Sequence, residues 1–229
     1  MAADKRQREK LKRILERLER HHGPREWEHW GPGVDVLVGT ILSQNTNDAN
    51  SSAGYQRLVD RFPAWDQMAD APVREIERCI RVSGLSRVKA PRIRSILRQI
   101  RREHGEITLE HLKDWPPPRA MEYLLAFDGV GPKTALCVLI FSFHMPVFPV
   151  DTHIYRIAVR LGLMDESVPF ARAHEVLGPM IAPGDRYATH VLLIAHGRTI
   201  CRSRKPRCDR CYLLALCPEG RRRMRAGRA

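Results

Sequence analysis

Phe127-Asp128-Gly129-Val130-Gly131-Pro132-Lys133-Thr134-Ala135, followed after an apolar run by Val150-Asp151-Thr152-His153, is the stretch around which the rest of the chain reads. Two glycines flanking one apolar residue close one apolar helix and open another, which predicts a tight hairpin between helices. Glycine accepts backbone angles that a side chain forbids, and it lets a neighbouring surface come close to the main chain. The N–H groups that begin the second helix point outward. Together with the positive end of the helix dipole they form a concavity suited to an anion such as a phosphate. Lys133 falls in the first turn of that helix, where the macrodipole disfavours a cation. A lysine placed against stability is a candidate functional residue.

Composition narrows the partner. The chain has 229 residues, 43% of them hydrophobic, enough to bury a core in one domain or two small ones. Thirty-nine Lys and Arg against 26 Asp and Glu leave a formal charge of +13, with a pI near 10.0, which favours a polyanion, nucleic acid first. No segment approaches the roughly 20 consecutive apolar residues of a membrane helix. The charged N-terminal stretch lacks the apolar centre of a secretory signal, so a cytoplasmic, intracellular protein without membrane partners is expected. Of six cysteines, Cys79 and Cys137 sit within apolar helical patterns and the other four crowd into one short tail segment. That asymmetry points to a metal site in a reducing compartment rather than to disulfides.

Taken in order, the chain reads as helices. Between Asp4 and Arg20, Leu11, Ile14, Leu15 and Leu18 fall on one face of an amphipathic helix whose other face is a solvated charge pattern. Val34 to Leu42 reads as a buried helix ending in Ser43-Gln44-Asn45-Thr46-Asn47-Asp48. Asp48 fits the N-cap of the next helix, while the adjacent amides of Gln44 and Asn45 suit the filling or reading of a base-sized gap. Helical spacing continues through Tyr55, Leu58 and Val59, through Val73, Ile76 and Ile80, and through Val88, Ile93, Ile96, Leu97 and Ile100. Between the last two, Leu85 in Ser83-Gly84-Leu85-Ser86 is either a staple to the core or an exposed wedge between base steps. Arg119 to Phe127, with Met121, Leu124 and Leu125 inward, and Thr134 to Phe143 form the two helices of the hairpin. Asp151 caps a further helix ending at Gly162, and helices near Phe170 to Ile181 and Arg186 to Arg198 precede the tail. No strand pattern and no internal repeat appears, so the expected fold class is all-α.

The tail places Cys201, Cys208, Cys211 and Cys217 in the pattern C-x6-C-x2-C-x5-C. Four thiolates in so short a loop can converge on one centre. Zinc is the competing reading, but four-cysteine zinc sites usually pair two C-x2-C knuckles, and one knuckle with long unequal arms favours a [4Fe-4S] cluster. Arg202, Arg204, Lys205, Arg207 and Arg210 make the loop electropositive, either balancing a thiolate-bound cluster or contacting phosphate.

Together, the hairpin, the Val150-Asp151-Thr152-His153-Ile154 segment and the cysteine spacing resemble the endonuclease III family of DNA glycosylases, over nearly the whole chain from Leu42-Ser43 to Cys217. The resemblance implies two helical lobes: residues 33–148, a six-helix domain with the helix-hairpin-helix, and residues 1–32 with 149–229, carrying the iron–sulfur loop, with DNA across the cleft between them. It implies Lys133 as catalytic lysine and Asp151 as catalytic aspartate. It also implies DNA contacts from Gly129, Val130 and Gly131, Leu85 as wedge, and a gap-filling amide at Asn45, with Gln44 beside it as the alternative. The sequence departs from the family in having Asn45 where Gln is common, Asp128 where Pro is usual, and Pro132 where a basic or polar residue is common. The acidic Asp128 is expected to weaken DNA binding slightly, and Pro132 fits a helix start.

The expected function is therefore a monomeric base-excision-repair glycosylase and abasic-site lyase that removes damaged, oxidised pyrimidines from duplex DNA. In that chemistry a neutral amine attacks the sugar C1′ and a carboxylate assists. Two alternatives stand beside it. One is a monofunctional mismatch-type glycosylase, suggested by the Gln44-Asn45 pair. The other is a non-enzymatic DNA-binding iron–sulfur protein, suggested by charge and hairpin alone.

Overall fold

A computed structural model describes residues 5–226, and these hold twelve α-helices joined by turns and short 3-10 segments, with no strand among the described residues. Asp4, the expected start of the first amphipathic stretch, and residues 1–3 and 227–229 of the expected second lobe lie outside them. No helix among the described residues is long and apolar enough to cross a membrane. The chain divides into two compact units, His29–Met145 and Met1–Glu28 with Pro146–Ala229.

α1 (Lys5–His22) belongs to the discontinuous unit, and the continuous unit holds seven helices: α2 (Gly33–Ser43), α3 (Asp48–Arg61), the six-residue α4 (Trp65–Asp70), α5 (Val73–Ile80), α6 (Ser86–His104), α7 (Pro117–Leu125) and α8 (Pro132–Phe143). Its centre is α2 against α8. Both are apolar nearly all round, as helices enclosed on most sides must be: Leu37, Val38, Ile41 and Leu42 are buried on α2, and Ala135 through Phe141 on α8. Pro132 opens α8, where its missing N–H costs nothing. Two local expectations change. The cap of α3 is Asn47, whose side-chain oxygen accepts from the Asn50 N–H at 2.9 Å, so Asp48 becomes the first helical residue instead, where its charge complements the dipole. Leu125, expected inward on α7, is 40% exposed, while Leu124 takes the buried position.

The discontinuous unit gathers α1 (Lys5–His22), α9 (Thr152–Leu161), α10 (Ala173–Leu177), α11 (Arg186–Thr199) and α12 (Pro218–Ala226). The apolar stripe of α1, Leu11, Ile14, Leu15 and Leu18, joins Ile154, Ile157, Ala158, Leu161, Leu192 and Leu193 in one core. This stripe explains why a helix so rich in charge is ordered: propensity alone leaves such a helix marginal, and tertiary burial supplies the difference. The helix expected from Phe170 to Ile181 is broken instead into a 3-10 turn, the five-residue α10, and a second 3-10 turn over Gly178–Met180. Gly178-Pro179 accounts for the second break, since Pro179 supplies no N–H to continue the ladder.

Candidate active site

The hairpin forms as a turn from Ala126 to Gly131 between α7 and α8. Gly129 takes φ +77°, the left-handed region that a side chain disfavours. Val130 is not displayed: its side chain is 6% exposed and its N–H donates to Phe127 O at 3.1 Å, so it anchors the turn from within. The N–H groups of Gly129 and Gly131 make no hydrogen bond among the described residues, which leaves them open to an anion at the start of α8. Lys133, half-buried in the first turn of α8, makes no ion pair or hydrogen bond among the described residues. Asp128 pairs with Arg92 at 3.2 Å, which offsets the acidic charge beside the turn.

Two loops of the same unit carry the other candidate contacts. Gln44 turns toward the hairpin, its amide nitrogen donating to Thr134 Oγ1 at 3.3 Å and to Gly129 O at 3.4 Å. Asn45 is exposed and holds φ +54°. The two amides that sequence left equivalent thus face different surroundings. Leu85 is 53% exposed at φ +51°, so it is no staple to the core. Asparagine tolerates the left-handed region; leucine does so only at a cost of roughly 1–2 kcal/mol, which the surrounding fold must sustain.

In the other unit Asp151 caps α9, its Oδ1 accepting from the Ile154 N–H at 2.8 Å. The cap uses one carboxylate oxygen. The extended segment before it is fixed by the buried His190, whose Nδ1–H donates to Pro149 O at 2.9 Å. His190 escaped the sequence reading, although its position one turn before Leu193 and Ile194 on α11 was a signal. His153 packs directly on Gly197, where a Cβ would come within 2.8 Å of its ring Nδ1.

Cys201, Cys208, Cys211 and Cys217 line one cavity, together with Ile157, Arg160, Leu161 and His196, whose non-atom space is ≈ 410 Å³ including space open to solvent. Among the described residues no three His, Cys, Asp or Glu side chains gather in a way that would hold a single metal ion. The loop is pinned by α9: Arg156 donates to Cys201 O at 2.9 Å, and Arg160 to Cys201 Sγ at 3.3 Å and Arg202 O at 2.8 Å. Gly220 N–H donates to Cys217 Sγ at 3.2 Å. Burial pushes the Cys211 thiol up to about 11 and raises Cys208 and Cys217 as well. Behind Cys211 lies His196, 4.0 Å from its sulfur through Nε2 and 2.7 Å from Tyr212 Oη through Nδ1. Burial, and then the neighbouring His22 and His21, bring His196 down to about 4.

Comparison with known proteins agrees with this arrangement. Residues 38–176 match the HhH-GPD superfamily base excision DNA repair protein family. An endonuclease III of Sulfolobus acidocaldarius is 35% identical over 186 residues, 80% of each chain. The DNA glycosylase/AP lyase ROS1 of Arabidopsis thaliana is 34% identical over 67% of this chain, which spans 12% of that longer protein. Another Arabidopsis relative, 37% identical, is spanned over 56% of its length. A solved endonuclease III in non-covalent complex with DNA superimposes with a TM-score of 0.83 at 28% identity, covering 95% of this chain and 98% of that one. On hairpin, fold and sequence alike, the chain belongs to the endonuclease III family within the HhH-GPD superfamily.

Proposed function

We propose that the chain is a base-excision DNA glycosylase with abasic-site lyase activity, acting on duplex DNA that carries a damaged pyrimidine. The observation that carries this reading is Lys133: an unpaired amine in the first turn of α8, beside two unengaged glycine amides suited to a phosphate. The unprotonated amine attacks C1′ of the target nucleotide as the glycosidic bond breaks and the base departs with a proton. The resulting Schiff base lets the 2′ proton leave and the 3′ C–O bond break, and water then releases the sugar and restores the lysine. Asp151 supplies the carboxylate that stabilises the developing positive sugar or accepts a proton, its second oxygen not being needed for the cap. Reaching the base requires extruding it from the stack, at a cost of roughly a few kcal/mol. Exposed Leu85 enters the stack, and exposed Asn45 rather than Gln44 fills the gap.

Cys201, Cys208, Cys211 and Cys217 are proposed to hold a [4Fe-4S] cluster. All four cysteines line one cavity, and four thiolates of one short loop with a single C-x2-C knuckle and long unequal arms suit a cluster better than a four-cysteine zinc site with its paired knuckles. The Gly220 and Arg160 donors suit thiolate acceptors. When bound, the cluster cross-links the loop and supplies a redox-capable centre; no step of base excision runs through it.

Incubating the protein with abasic-site duplex and borohydride tests the lyase reading. A covalent protein–DNA adduct is expected, absent in Lys133→Ala. Base release without an adduct or strand cleavage would assign the monofunctional reaction instead, and a panel of oxidised-pyrimidine and mispaired duplexes identifies the base.

A further inference from the structure

Lys89 has a place that its charge does not explain. It lies on the core-facing stripe of α6 with Ile93, Ile96, Leu97 and Ile100 and is 2% exposed. Its Nζ donates to Leu42 O at 2.7 Å and to Ser83 O at 2.9 Å, both backbone carbonyls. No carboxylate pairs with it among the described residues. Burial lowers its pKa from the ordinary lysine value, the mark of an amine taken from water without an anion in return. A buried charge of this kind costs stability, and an apolar side chain of the same length serves a core at least as well.

What the amine does is join two chain ends. Leu42 is in the last turn of α2, where carbonyls have no intrahelical N–H partner, and it stands three residues before Asn45. Ser83 closes a 3-10 turn and stands two residues before Leu85. Asn45 and Leu85 are both exposed, and both hold the left-handed backbone region, at φ +54° and +51°. Such conformations persist only where the surroundings over-determine them. Ser83 is fully buried, and its hydroxyl donates to Asn50 O at 3.1 Å on α3, the helix that follows the Asn45 loop. The two loops are therefore tied at their bases by one cation and steadied by one hydroxyl.

We propose that Lys89 is a positioning residue that holds Asn45 and Leu85 in fixed register as a two-pronged probe of the gap in an opened base pair. The inference rests on the reading of Leu85 and Asn45 given above. A loop pair so tied pays its ordering cost before DNA arrives, which raises affinity only for DNA that accepts both prongs.

The test compares binding of a duplex containing a tetrahydrofuran abasic analogue with binding of the same duplex intact, by fluorescence anisotropy, for the full chain. Lys89→Met, shown folded by circular dichroism and a cooperative melt, is expected to lose roughly tenfold of its preference for the abasic duplex, about 1.4 kcal/mol, with intact-duplex affinity within about twofold. Leu85→Ala is expected to cost a similar factor in the native background and little more in Lys89→Met. A folded Lys89→Met with native preference overturns the proposal. Should Lys89→Met not fold, the pair Asn45→Ala and Leu85→Ala decides: prongs held in register give losses that do not multiply, and losses that simply multiply overturn the proposal. If neither single change alters the preference, the probe reading itself falls, and the role of Lys89 with it.

Discussion

The Gln44 side-chain amide donates to Thr134 Oγ1 at 3.3 Å, across 90 residues of sequence, and so joins the end of α2 to the first turn of α8. The bond turns the Gln44 amide toward the hairpin, while Asn45 is exposed, and on the proposed reading it is Asn45 that meets DNA. Gln44→Ala should therefore lower stability by about 1 kcal/mol, the net worth of a typical hydrogen bond, and leave the abasic-duplex preference intact. Asn45→Ala should do the reverse. Thermal melting and anisotropy on the two variants check this, and an exchange of their phenotypes would return the gap-filling role to Gln44.

Asp151→Asn separates the cap from the chemistry. Asparagine caps helices about as well as aspartate, and the Ile154 N–H keeps an oxygen acceptor. The melting temperature should stay near native, while single-turnover base release falls by about 10²- to 10⁴-fold, the usual span for a lost acid–base group. Native turnover in this variant would reduce Asp151 to a structural cap.

Gly197→Ala tests how tightly α11 approaches α9. The added Cβ would lie 2.8 Å from His153 Nδ1 and 2.9 Å from His153 Cβ, and the latter cannot swing aside. Alanine gains helix propensity, but the overlap should cost more, a net loss of about 1–3 kcal/mol. A rise in melting temperature would show that His153 yields freely.

Acid sensitivity should come in part from His111. Its Nε2 is buried without a partner, its ring stacks on His104 at 3.9 Å, and Trp115 and Tyr123 meet it edge-on. Burial first, and then His104, lower its pKa, against smaller opposing effects of Glu103 and Glu110. The unfolded chain then binds a proton near pH 6.5 that the folded chain refuses until lower pH. Stability is full above about pH 6.5 and falls as pH drops through that value. Melting between about pH 7.5 and about 5.5 should show the decline, shallower in His111→Gln; stability rising toward acid would contradict it.

Cys211→Ser should remove iron and acid-labile sulfide from the purified protein along with its visible absorption. A native iron content in that variant, or zinc in place of iron in the native protein, would reject the cluster assignment.

The hairpin was legible because it rests on local backbone rules: two glycines, a proline at a helix start and a following lysine leave few alternatives. Asp151 was legible for the same reason, its cap being made within three residues. Lys89 was not. In a helix crowded with arginines it reads as another solvated cation, and its partners are carbonyls 47 and 6 residues away that no side-chain pattern announces. The signal was its spacing, since position 89 continues the stripe of Ile93, Ile96, Leu97 and Ile100. The shift of the α3 cap from Asp48 to Asn47 shows the same limit at short range: both side chains can cap, and sequence alone does not say at which of the two the backbone turns helical. Tyr212 and His196 behind Cys211 were hidden because their contacts join α11 to a loop without a periodic pattern.

The placement of α1 bears on how the chain is made. Leu11, Ile14, Leu15 and Leu18 are translated before the His29–Met145 unit, yet the core they complete includes Leu192, Leu193, Leu213 and Leu216. The His29–Met145 unit is contiguous and can fold while synthesis continues. The stripe of α1 therefore stays uncovered until residues as far along as Leu216 have been translated, while the charged residues on its other face keep that side of the helix hydrated in the interval.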